Sequence, residues 1–168
     1  MIWVYVEEAV DMSDLDLHDR LIQAMVQILS AYGFQVQFTV KGKRTQKLEV
    51  VGDSRKIYYP DIKAQKGPWT IICEARTRGQ RGQSEKLDPG AIQFAIAELA
   101  DMQASLKRPH GMIVTPHGIL PEAKKLANHF GVIVALLPVT AVNRILDLDF
   151  HSQKDQILDI AKSFDLIF

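Results

Sequence analysis

With a single cysteine, Cys73, the chain can form no internal disulfide. Its stability must then come from a packed core, and the framework of a small disulfide-rich secreted scaffold is excluded. Long apolar runs are also missing. The longest, Gly131 to Val139 (GVIVALLPV), is strand-sized and carries Pro138, well short of the ~18 residues that cross a bilayer. The first residues, MIWVYVEEAV, hold no basic leader followed by an apolar stretch, so the expectation is a cytoplasmic protein that does not enter membranes. Net charge is absent as well, with 20 Lys and Arg against 20 Asp and Glu.

That cancellation hides a strong segregation. Residues 1–40 hold one Arg against six acids, residues 41–86 hold twelve Lys and Arg against five acids, and residues 87–168 hold seven against nine. A block as lopsided as the middle third sets up a local positive potential that attracts phosphates even when the total is zero. Its cations Lys41, Lys43, Arg44, Arg78, Arg81 and Lys86 are the candidate nucleic-acid contacts. A solvated basic loop is the alternative.

At 168 residues and 47% hydrophobic content the chain suits one domain. Ser13 and Asp16 resemble a capping box, and Leu17, Leu21, Met25, Ile28, Leu29 and Tyr32 recur at helical spacing until Gly33, which predicts a first helix over about Asp14 to Tyr32. FQVQFTV and QKLEVV flank a turn-like Lys41-Gly42-Lys43-Arg44 and predict an antiparallel hairpin. Lys56 to Ala64 reads as extended, and WTIICEA after Gly67-Pro68 reads as a buried strand. Arg76 to Leu87 reads as a polar loop. Asp88 caps a second helix that starts at Pro89 and ends near Leu106. GMIVT, LPEAKKLANHF and GVIVALL then alternate strand, helix and strand, which favours parallel pairing. Gln153 to Phe164 reads as a closing helix.

Chemistry concentrates at two strands. Pro60-Asp61 lies on the extended segment, and twelve residues separate Asp61 from Glu74-Ala75-Arg76 at the end of the apolar strand. Side chains alternate faces along a strand, so Glu74 and Arg76 point the same way, and in a meander Asp61 can lie opposite them. Magnesium favours hard oxygen ligands and is commonly held by one or two carboxylates, which makes Asp61 and Glu74 candidate ligands. A cation beside such a metal would stabilise charge on a scissile phosphate. Taken alone, D-x12-E-x-R is also the pattern of a solvated strand face.

The order of elements sharpens the reading. Helix, hairpin, P-D strand, E-x-[KR] strand, helix, then β-α-β resembles the PD-(D/E)XK nuclease core over roughly Ser13 to Pro138. Gly111 to Thr115, Ile119 to Ala127 and Gly131-Val-Ile are similar to the Mrr-type restriction endonuclease catalytic domain. The resemblance implies a restriction endonuclease-like three-layer α/β/α fold with a central mixed sheet, an antiparallel meander followed by a β-α-β unit. It makes 1–168 one domain with a core of about 13–138 and a C-terminal helical extension, 139–168. It implies a magnesium- or manganese-dependent DNA endonuclease, with Asp61, Glu74 and Arg76 at the signature positions.

The resemblance also implies a polar residue on the following helix, for which Gln93 is the candidate unless it is a plain surface residue. An acid on the first helix often completes the family's metal site. The expected turn holds Ile22 and Gln23, and Asp19 lies one turn earlier as an imperfect substitute. Arg76 departs from the family's usual lysine: arginine can clamp a phosphate but cannot serve as a general base. Lys63, two residues beyond Asp61, offers a replacement amine on the same strand. A homodimer, or a separate specificity subunit, follows from the family analogy. The alternative is a catalytically inactive relative that binds nucleic acid or a protein.

Other chemistries find little support. His18, His110, His117, His129 and His151 have neither Cys partners nor tight spacing, which argues against zinc. Gly79, Gly82 and Gly90 form no dinucleotide or P-loop fingerprint. Cys73 reads as a buried strand residue. Trp3, Trp69, Tyr58 and Tyr59 suit either base stacking or strand packing.

Overall fold

The computed structural model describes residues 16–39, 48–77, 86–106 and 108–168. Helix α1 (Leu17–Ala31) begins at Asp16, whose carboxylate accepts from Asp19 N–H at 2.9 Å. Asp16 is thus the cap itself, and Ser13 lies outside the described residues. The helix buries Leu21, Ile22, Met25, Ile28 and Leu29 along one stripe. It stops where Gly33 takes φ +87°, and Phe34 N–H and Gly33 N–H bond back to Leu29 and Ser30 carbonyls at 3.0 Å each. This is the paired C-terminal closure that glycine makes cheap.

The strands are β1 (Gln35–Phe38), β2 (Val50–Val51), β3 (Ile57–Tyr58), β4 (Ile62–Lys66), β5 (Trp69–Ala75), β6 (Pro109–Thr115) and β7 (Val132–Leu136). Five of them form one mixed sheet in the order β1-β4-β5-β6-β7. The first three pair antiparallel and the last three parallel.

This corrects the predicted hairpin. β1 pairs with β4, Val36 opposite Ala64, while β2 pairs with β3 in a separate two-stranded ribbon. Alternating polarity identifies a strand but not its partner, and the extended segment from Lys56 is broken around Asp61 into β3 and β4. The ribbon is tied to the following helix through Asp101, whose carboxylate accepts from Ser54 N–H, Ser54 Oγ and Tyr58 Oη.

Helices α2 (Pro89–Ala104) and α3 (Pro121–His129) precede β6 and β7. Asp88 caps α2 by accepting from Ala91 N–H at 2.8 Å, as its sequence predicts. Two helices, α4 (Val139–Leu146) and α5 (Lys154–Ser163), follow β7, where only one closing helix was expected.

The core has two halves, one on each face of the sheet. Ile62, Ala64, Ile71, Cys73, Met112 and Val114 pack toward α1, α4 and α5. Ile72, Ile113 and Val132 pack toward α2 and α3. Ala141, Val142, Ile145, Ile157 and Leu166 belong to the first half, so residues 139–168 complete the core rather than extend it.

Candidate active site

Chain direction places three elements at one end of the sheet. Asp61 precedes β4, which is antiparallel to β5, so it lies beside the carboxyl end of β5. α1 runs into β1, which is antiparallel to β4 and so points along β5, and this brings the first turn of α1 to the same end. Carboxyl ends of parallel strands, with helix N-termini around them, are where α/β sheets usually hold ligands.

Register brings the two acids together. Ile62 faces Cys73, so the next pair outward is Asp61 and Glu74. The Asp61 carbonyl accepts from Thr39 N–H at 3.1 Å, and its Oδ2 accepts from Ala75 N–H at 2.8 Å. The backbone thereby fixes the aspartate at both ends. Glu74 is half-buried. Burial first, and then the charge of Asp61, push its carboxyl up to about 8, against the lowering pull of Arg76. A hydrogen bond between the two carboxyl groups favours the protonated form further. Near neutrality the pair therefore holds a proton that two exposed acids would release.

Arg76 follows the strand, and its N–H donates to the Val114 carbonyl at 2.9 Å. The side chain is half-buried, and its Nε is enclosed with no hydrogen-bond partner among the described residues. A guanidinium in this state is a ready donor for an incoming oxyanion.

The residue that sequence reasoning missed is His18. Its Nε2 lies 3.5 Å from Asp61 Oδ2, and its Nδ1 lies 3.7 Å from Asp19 Oδ1. The hydrogen bond to Asp61 raises its pKa above the ordinary value, burial opposes this, and the charges of Asp61, Asp19 and Asp16 add to the rise. The turn expected to face the site does not: Ile22 is wholly buried in the core. The first turn takes that place, with Asp19 buried and Asp16, His18 and Asp19 donor atoms within 4.8 Å of one another. The signal was available as a histidine beside an acid at a helix start.

Lys63 is half-buried opposite Ile72, on the sheet face that Glu74 shares. Gln93 is exposed on α2 beside Phe94, which is 74% exposed. Lys86 is exposed just before α2. Lys41, Lys43, Arg44, Arg78 and Arg81 lie outside the described residues. Cys73 is fully buried, and burial raises its thiol pKa well above the usual range, as befits an inert strand residue. Trp69 stacks on His110 with centroids 5.5 Å apart.

The two acids suit a divalent ion. A half-buried carboxyl pair that must hold a proton to limit its own repulsion can be neutralised equally well by a cation. A groove of about 1260 Å³ runs elsewhere, past Trp69, Lys86, His117, Lys124 and Leu136, and its lining includes none of His18, Asp61 or Glu74.

No family model matches the chain, and no curated protein does. Among solved structures it is similar to the crystal structure of AF1548, a protein of unknown function, at 16% identity and a TM-score of 0.50. The match covers 83% of this chain and 79% of that one. Likeness at that identity concerns the fold alone: a mixed α/β arrangement with a five-stranded central sheet and, among the described residues, five helices.

Proposed function

We propose that the protein is a metal-dependent DNA endonuclease of the PD-(D/E)XK, restriction endonuclease-like class, nearest to its Mrr-type branch. The observation that carries this reading is the pairing of Asp61 with Glu74 in register at the carboxyl end of β5, where burial first and then the charge of Asp61 raise the Glu74 carboxyl to about 8. Helices on both faces of a mixed sheet and a basic middle third support it.

In this reading Asp61 and Glu74 hold magnesium or manganese. When bound, the ion would lower the pKa of a water and neutralise charge on the scissile phosphate. The chain supplies the rest. Ala75 N–H orients the Asp61 carboxylate, leaving its other oxygen to face the ligand. Arg76 donates to a phosphate oxygen and stabilises charge that grows in the transition state, but it stays protonated and takes no proton from water. Lys63 shares the face of Glu74 and is the amine nearest in register to act in proton transfer. Lys41, Lys43, Arg44, Arg78, Arg81 and Lys86 attract the backbone phosphates. A homodimer, or a second chain that supplies specificity, would place two such sites on a duplex.

The test is cleavage of supercoiled, linear and branched DNA in magnesium or manganese. Asp61→Asn and Glu74→Gln should each abolish cutting while leaving DNA binding within about threefold. Glu74→Gln is well suited because it resembles the protonated side chain of the metal-free protein. Arg76 in place of lysine favours a second reading, a binding module without catalysis. Salt-sensitive DNA affinity with no cut product under either metal would establish that reading instead.

A further inference from the structure

We infer that the groove along β7 is a strand-docking site, and that its occupant is the chain's own segment 2–8, IWVYVEE, added parallel to β7 at the end of the sheet. That segment lies outside the described residues. The inference depends neither on cleavage nor on a metal.

The lining shows where the groove runs. Ile133, Val134, Ala135 and Leu136 all touch it, and successive residues of a strand point to opposite faces. A cavity that meets four in a row lies along the strand's edge, not over one face. Met112 and Leu166 wall it on one side of the sheet and Ile119 on the other. β7 is last in the sheet order, so among the described residues that edge has no strand partner. Leu137 N–H donates to the Thr115 carbonyl at 2.9 Å, on the β6 side. By backbone alternation the N–H groups of Val134 and Leu136 turn the other way, into the groove.

The edge is built to be covered. Val132–Leu136 reads VIVAL, with neither charge nor proline, and Ile133 and Leu136 are each 42% exposed. Apolar edges of this kind pair with an extended chain unless something shields them. A strand residue fills roughly 160 Å³, from a rise of about 3.4 Å, a strand spacing of about 4.8 Å and a sheet separation of about 10 Å. The groove's 1260 Å³ therefore suits about seven or eight such residues.

Sequence, charge and reach name the occupant. Residues 2–6, IWVYV, are β-branched or aromatic throughout, the composition that strands favour. Glu7 and Glu8 follow directly, and residues 1–15 carry four acids and no Lys or Arg. The first turn of α1 stands at the carboxyl end of β5, to which β6 and β7 are parallel. A strand laid in the groove on its way to Asp16 runs toward that end and delivers the two glutamates there. Three cations of the lining wait at the same place. Lys124 is in the first turn of α3, His117 follows β6, and Lys86 is held beside them where Leu87 N–H donates to the Gly118 carbonyl at 3.0 Å. His117 Nε2 is enclosed with no hydrogen-bond partner among the described residues. Residues 9–15 then span up to about 23 Å, and the path across β7, β6 and β5 to β4 is about 19 Å. His18, at the start of α1, meets Asp61 just before β4.

The test is amide hydrogen exchange of the full chain, read residue by residue by nuclear magnetic resonance. In wild type the outward amides of Val134 and Leu136 should exchange at least tenfold more slowly than in Val4→Pro and Tyr5→Pro, which remove a donor of each backbone parity from the added strand. Ile133 and Ala135, whose amides share the parity of Leu137 and face β6, should stay unchanged in both variants, which shows that the sheet itself remains folded. Reversing the acids together, Glu7→Lys with Glu8→Lys, should speed Val134 and Leu136 severalfold. Fast exchange at those two amides in wild type, or slow exchange that neither proline disturbs, would overturn the inference. Protection that fades on dilution, with a dimer in light scattering, would overturn it in favour of a second copy pairing edge to edge.

Discussion

A carboxyl that keeps its proton up to about pH 8 makes Glu74 a handle on stability. Between its ordinary value of 4.5 and that raised value the folded protein binds the proton more tightly than the unfolded chain. Stability therefore falls as pH rises through this window. His18, also raised in the folded state, acts in the same direction: its contribution is complete below 6.5 and is lost as pH climbs through the raised value. Melting in a chelator should accordingly drop between about pH 5 and pH 8.5, and Glu74→Gln should flatten most of that slope. A wild-type profile that rises over the same interval would contradict the assignment. Manganese should stabilise more at the alkaline end, because binding needs the ionised carboxylates. His18 itself was missed because a metal-site search along the sequence looks for histidines near cysteines or other histidines. Its partner Asp61 is distant in the chain and reaches it only through the sheet's register.

At the scale of elements, legibility followed how local the deciding interaction is. Asp88 with Pro89, and Gly33 at φ +87°, settle their helix ends with neighbouring residues, and both were readable. The partner of β1 was not, because pairing with β4 depends on burial across the whole sheet. The ribbon of β2 and β3 shows the same dependence in its link to α2. A Cβ on Gly52 would overlap the Asp101 carboxylate that receives Ser54 and Tyr58. Gly52→Ala should therefore lower stability by about 1 to 3 kcal/mol and raise hydrogen exchange at Val50, Val51 and Tyr58. Manganese affinity should stay unchanged. Urea unfolding and exchange mass spectrometry would check this, and an undisturbed ribbon would show that Asp101 gives way freely.

For the whole molecule, the C-terminal thirty residues matter most. A resemblance ending near Pro138 made 139–168 a C-terminal helical extension of the core, and Val142, Ile145, Ile157 and Ala161 of that segment are wholly buried in the cluster that includes α1. α1 in turn carries His18, so fold integrity and site geometry are coupled. A chain ending at Pro138 should lose its cooperative melt altogether. Burying four such side chains contributes on the order of several kcal/mol, comparable with the net stability of a domain. A truncated protein with a sharp transition would refute that coupling. The middle third's charge was legible at once from composition. The most direct measurement of the central claim is diffraction from crystals soaked in manganese, with the anomalous signal locating the ion. A peak bonded to carboxylate oxygens of Asp61 and Glu74 is predicted. A peak elsewhere, or the two acids remaining metal-free at saturating manganese, would contradict it.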